Sequence, residues 1–135
     1  MAQDLTTVSV RMGRKPYSTE VSTDSHSFLM DVDASKGGGD SGPDPHELLL
    51  ASLGACTVMT VKMYADRKGW AIDSIDANAS HATERTDEGM RHRFVVDMTI
   101  KGDLDEEQRA RLIDIAHRCP IHRALVEPKS VEIRG

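Results

Sequence analysis

The chain has 135 residues and a formal charge of −5, with 17 Lys and Arg against 22 Asp and Glu. That length fits one domain, read as residues 1–135. The charge disfavours general nucleic-acid binding, which needs clustered Lys and Arg on phosphates. Apolar residues make up 39% of the chain and only five are aromatic, so its own core is thin, but they are grouped in periodic runs, which argues against disorder.

The predicted elements begin with three short strands. Residues 5–12 contain Val8 and Val10 in loose alternation, and residues 17–23 follow a turn over 13–16. Residues 26–32 place Phe28, Met30 and Val32 on one face. Short gaps between the three predict an antiparallel meander. Residues 36–45 (KGGGDSGPDP) read as a flexible loop, because they lack the GK[ST] and GxGxxG patterns of phosphate cradles.

From Pro45 to Lys68 the pattern is helical. Asp44 fits the N-cap, Pro45 the first helical position and Glu47 the third, as in a capping box. Residues 48–63 carry few charges, which predicts a helix buried on nearly all sides and closed by Gly69. That run is short for a membrane span of about 20 residues.

Residues 70–81 and 90–101 predict two further strands around a turn at 86–89, with a bulge near Ile72 and Ile75. Asp103 is placed to cap a helix over 104–118, with Glu106 at its third position. Pro120 breaks that helix and opens a short one to Leu125, and residues 130–133 predict a last strand. The order implies an α+β domain with antiparallel sheets wrapped around one long central helix.

Two cysteines, Cys56 and Cys119, are too few for a disulfide scaffold in a chain of this length. Residues 1–7 carry no basic and apolar leader pattern, so the expectation is a cytoplasmic protein with reduced thiols. Cys56 lies mid-helix, where a free cysteine is ordinarily a small buried hydrophobe with a raised pKa. Cys119 precedes Pro120 and should sit at a helix N-terminus, where the dipole favours a thiolate. Both point toward the core, so contact between them is plausible. His117, Cys119 and His122, with Cys56, offer an alternative metal-ligand set, although no standard zinc spacing is matched. Glu47 lies about 13 Å along a straight helix from Cys56 and on its opposite face. It is therefore a cap, or it acts on a site in another subunit.

The run Gly42-Pro-Asp-Pro-His-Glu-Leu-Leu-Leu-Ala-Ser-Leu-Gly-Ala-Cys56-Thr, then Met63-Tyr-Ala-Asp-Arg-Lys-Gly69, resembles the OsmC/Ohr family. These are the osmotically induced protein C and organic hydroperoxide resistance proteins. Cys119-Pro-Ile-His-Arg-Ala-Leu125 resembles the family's second cysteine motif, 63 residues after the first. His26-Ser-Phe-Leu-Met-Asp31, followed by Gly37-Gly-Gly-Asp-Ser-Gly-Pro43, resembles the OsmC-like branch.

The resemblance implies an intertwined homodimer with two active sites at the subunit interface. It implies a thiol peroxidase for organic hydroperoxides, without cofactor, in which Cys56 attacks, Cys119 resolves and an external dithiol regenerates the pair. The family's glutamate, ten residues before the first cysteine, falls on His46, with Glu47 one residue later. Its arginine corresponds to Arg14 or Arg11. His26, His46 and His122 are the expected lining of the binding site. Neither a nucleic acid nor a membrane is an expected partner. The alternative within the family is a non-peroxidase dimer that binds a small apolar or electrophilic ligand between subunits.

Overall fold

A computed structural model describes residues 5–135. Residues 1–4, on which part of the leader reading rests, lie outside the described residues. The chain divides into two compact units, Met1–Leu49 and Leu50–Gly135.

In the first unit, β1 (Ser9–Met12), β2 (Thr19–Ser22) and β3 (Ser27–Met30) form an antiparallel meander in that order. Val21 sits opposite Val10 on one side and Phe28 on the other, and it is the buried residue of the sheet. The glycine-rich stretch that follows is ordered around Asp31, contrary to the expectation of a flexible loop. The buried Asp31 carboxylate accepts the backbone N–H groups of Val32, Gly39 and Ser41 and the Ser41 hydroxyl. Two of the glycines are dictated by close approach. A Cβ at Gly38 would lie 2.1 Å from the Val32 carbonyl oxygen, and one at Gly42 would lie 2.0 Å from that of Leu29.

The helix α1 (Pro45–Lys68) starts in the last residues of this unit and continues into the second. Its start follows the sequence reading. The Asp44 carboxylate accepts the Glu47 N–H at 2.7 Å, and the Glu47 carboxylate accepts the Asp44 N–H at 3.1 Å. Its end is a Schellman motif. Gly69 adopts φ +70°, its N–H bonds the Asp66 carbonyl, and the Trp70 N–H bonds the Ala65 carbonyl.

In the second unit, β4 (Ser74–Thr86) and β5 (Gly89–Lys101) form one long hairpin. Thr86 pairs with Gly89, so Asp87 and Glu88 make the turn. Pairing is continuous from Ser74 opposite Lys101, so there is no bulge; Ile72 precedes the strand. The next helix, α2 (Glu106–Ala116), is capped by Asp105 rather than Asp103, with Gln108 completing the capping box. The two-residue shift arises because Asp103 and Leu104 are used in a turn. The Leu104 N–H bonds the Gly102 carbonyl, and the Arg109 guanidinium holds the carbonyls of Ile100 and Gly102. Last comes α3 (Pro120–Val126). Residues 130–133 form no strand. Val131 and Ile133 are almost fully exposed and pair with no strand among the described residues, and a strand without a partner leaves its backbone groups unpaired.

The core of this unit is Val61 and Ala65 of α1, Ile100 of β5 and Leu112 of α2. The stripe Leu53, Thr57, Val61 and Ala65, at steps of four, is the only fully buried face of α1. Leu49, Met59 and Met63 stay exposed, so within one chain the helix is not buried on all sides as its composition suggests. With 24 residues, α1 is also long and apolar enough to cross a membrane, which the shorter run 48–63 concealed. A core helix meets the same length and composition, and the packing of its stripe against β5 and α2 is that of a core helix.

Candidate functional site

Within the second unit, α1 and α3 bring the two cysteines together. Cys119 is fully buried and is the N-cap of α3. Its backbone is non-helical because Pro120 follows, and Pro120 takes the first helical position, where a missing N–H costs nothing. The Cys119 sulfur accepts the His122 N–H at 3.5 Å. Cys56, half-buried on α1, neighbours Cys119. The Ile121 amide and the Thr60 hydroxyl are also in its neighbourhood. Both thiols are free.

Burial pushes the Cys56 thiol above the ordinary cysteine range, and the neighbouring Cys119 thiol pushes it further. The Ile121 amide and the Thr60 hydroxyl act in the opposite direction, since each favours a thiolate. The net direction is upward.

The family model described as OsmC-like protein matches residues 37–134, well over half of the chain. This chain belongs to the OsmC-like family. No curated protein matches it. Its fold is similar to that of an OsmC-like protein from Mycoplasma pneumoniae, with 20% identity over 92% of this chain and 89% of that one, and a TM-score of 0.75. It is also similar to the organic hydroperoxide resistance protein OhrB of Bacillus subtilis, with 26% identity, 93% coverage of each chain and a TM-score of 0.62. An organic hydroperoxide resistance protein OsmC from Legionella pneumophila shares 20% identity over 93% of this chain and 92% of that one, at a TM-score of 0.66. The α+β architecture with antiparallel sheets and one long helix is thus the OsmC-like fold.

Of the other residues singled out in this OsmC-like sequence, His122 is close to the cysteines. It is half-buried and borders a cavity of about 550 Å³ together with Leu53, Thr57, Phe94 and His117. Its ring stands edge-on to His117, with centroids 5.5 Å apart. The His117 Nδ1 lies 3.0 Å from the Ile113 carbonyl oxygen, which can only accept, so Nδ1 carries the proton. The metal-ligand set of His117, Cys119, His122 and Cys56 does not converge. Among the described residues no three His, Cys, Asp or Glu side chains are grouped to hold an ion.

Arg14, Arg11, His26, His46 and Glu47 belong to the first unit. Arg14 is exposed between β1 and β2, and Arg11 lies on β1 opposite Glu20. His26 is exposed at the β2–β3 turn, with Nδ1 3.1 Å from the Ser25 hydroxyl. His46 is exposed in the first turn of α1, and Glu47 serves the capping box there. Sequence reasoning did not assign a role beside Cys56 to Thr60 or to the Ile121 amide. Thr60 was readable as one helical turn beyond Cys56; the amide needed the fold.

Proposed function

We propose that this protein is a thiol-dependent peroxidase for organic hydroperoxides, with Cys56 as the attacking thiol and Cys119 as the resolving one. The observation that carries this reading is that two free thiols, Cys56 on α1 and Cys119 at the start of α3, are neighbours. The Cys56 thiolate attacks the terminal oxygen of the hydroperoxide and the O–O bond breaks. The alkoxide takes a proton and leaves as the alcohol, with Cys56 as a sulfenic acid. Cys119 then attacks the Cys56 sulfur, an S–S bond forms, and the hydroxyl departs as water with the Cys119 proton. An external dithiol supplies the two electrons that restore both thiols by exchange. Nothing in this cycle calls for a cofactor.

The apolar walls of the cavity beside Thr57 and His122 support a bulky organic substrate over hydrogen peroxide. Exposed Met59 and Met63 support a homodimer in which a second copy covers α1, and in that dimer Arg14 or Arg11, Glu47, His26 and His46 would complete the site. Reduced thiols support a cytoplasmic location. A second reading is favoured by the raised Cys56 pKa, which slows attack on peroxide. It is a non-peroxidase dimer that holds a small apolar or electrophilic ligand.

The deciding experiment follows consumption of cumene hydroperoxide with dithiothreitol as reductant, for the wild type, Cys56→Ser and Cys119→Ser. Turnover by the wild type alone, faster than with hydrogen peroxide, supports the peroxidase. Absence of turnover, together with ligand-dependent thermal stabilisation, supports the second reading.

A further inference from the structure

We propose that Tyr64 is a nucleophilic tyrosine, a second covalent site on this chain whose phenol oxygen takes an activated acyl group. It lies two helical turns, about 12 Å, along α1 from Cys56, and it does not depend on the peroxidase reading.

Tyr64 is half-buried on α1, and its ring packs against the core beside Trp70. The two rings meet edge to face, with centroids 5.8 Å apart. The Schellman turn at Gly69 fixes Trp70 there, through the bond from its N–H to the Ala65 carbonyl. From α2 the Arg111 Nε donates to the Tyr64 hydroxyl oxygen at 3.1 Å. The Arg111 guanidinium carbon also lies 5.6 Å from the ring centroid. So does the Lys68 Nζ, 5.6 Å away and one turn along α1 from Tyr64. Arg118, just beyond α2, adds a third positive charge, while Asp114 of α2 acts on Arg111. The donor and the cations favour a negative oxygen. They hold the phenol below the ordinary tyrosine range, first through the Arg111 hydrogen bond and then through the charges of Arg111, Lys68 and Arg118, with burial opposing. A phenolate is a hard oxygen nucleophile, so it suits a carbonyl carbon, whereas a soft thiolate suits a peroxide oxygen. In the step, the Tyr64 oxygen bonds the carbonyl carbon and the bond from that carbon to the leaving group breaks. The phenolic proton ends on the leaving group, and nothing is oxidised or reduced.

The test treats the reduced full-length protein with N-acetylimidazole and follows acetylation peptide by peptide by mass spectrometry. Hydroxylamine removes an acetyl group from tyrosine oxygen and leaves one on lysine nitrogen, so it marks the Tyr64 adduct. The chain has two tyrosines, and Tyr17, more exposed and in the first unit, is the internal reference. At neutral pH Tyr64 should acetylate about fivefold faster than Tyr17, the scale of a charge-assisted contact at a surface, and its rate should begin to rise at a lower pH. Arg111→Met should remove that advantage and move the Tyr64 profile up toward that of Tyr17. The wild-type comparison needs no substitution, so it decides even where the variant fails to fold. Tyr64 labelled no faster than Tyr17 overturns the proposal, and so does a folded Arg111→Met variant that labels Tyr64 at the wild-type rate.

Discussion

The Cys56 thiol on α1 neighbours Cys119, the N-cap of α3. Residues 63 positions apart are thereby brought together as free thiols. Cys119 does two things at once: its sulfur caps the start of α3 by accepting the His122 N–H, and it neighbours Cys56.

Replacing Cys119 should therefore separate attack from resolution. In Cys119→Ser the hydroxyl still caps α3, but nothing condenses with an oxidised Cys56. One equivalent of organic hydroperoxide should leave a sulfenic acid that dimedone traps, seen as an adduct on the Cys56 peptide. The wild type should trap far less, because the disulfide forms first.

The raised Cys56 pKa predicts a pH-dependent stability. The native state keeps a proton that the unfolded chain releases at the ordinary thiol value, so the folded protein binds more protons in that window. Stability is fully present below the ordinary thiol pKa and falls as pH rises through the higher folded value. Urea midpoints measured from neutral to alkaline pH should decline more steeply in the wild type than in Cys56→Ala.

Asp31 carries the opposite sign. Its carboxyl is held below the ordinary aspartate range, first by the Ser41 hydroxyl, then by the Val32 amide and the further N–H groups of the glycine loop. Its contribution is fully present above the ordinary aspartate pKa and is lost as pH falls through the lower folded value. Asp31→Ala should lower the melting midpoint at neutral pH by several degrees and shrink the gap between variant and wild type in acid. Circular dichroism melts at both pH values check this.

Leu112 is fully buried between α1 and β5, in contact with the Val61–Ala65 face. Leu112→Ala should cost about 2–5 kcal/mol, the range for a buried leucine that leaves a cavity. Urea unfolding measures it directly.

Much of this was legible in the sequence because it depends on local chemistry. Asp44, Pro45 and Glu47 announce the start of α1, and Gly69 its end, through bonds made within a few residues. Pro120 fixes Cys119 as a cap for the same reason. The failures came where a distant partner decides. Asp103 and Asp105 are equal as caps until Arg109 claims the carbonyls beside Gly102. Residues 130–133 have strand composition but no edge to pair with among the described residues. The apolar girth of α1 says that it must be covered, and periodicity does not say by what. At the site, the nearness of Cys56 to Cys119 was readable as a possibility, whereas the Asp31-centred loop was not noticed, since Asp31 is spent on targets that only the fold identifies.

The most direct test of the central claim is the mass of the Cys56- and Cys119-bearing peptides after one equivalent of cumene hydroperoxide is added to the fully reduced protein. The account predicts a single cross-linked peptide pair, about 2 Da lighter than the sum of the two thiols and restored by dithiothreitol. Two unmodified thiols after that treatment would contradict it, and so would Cys56 carried to sulfinic acid with Cys119 still free.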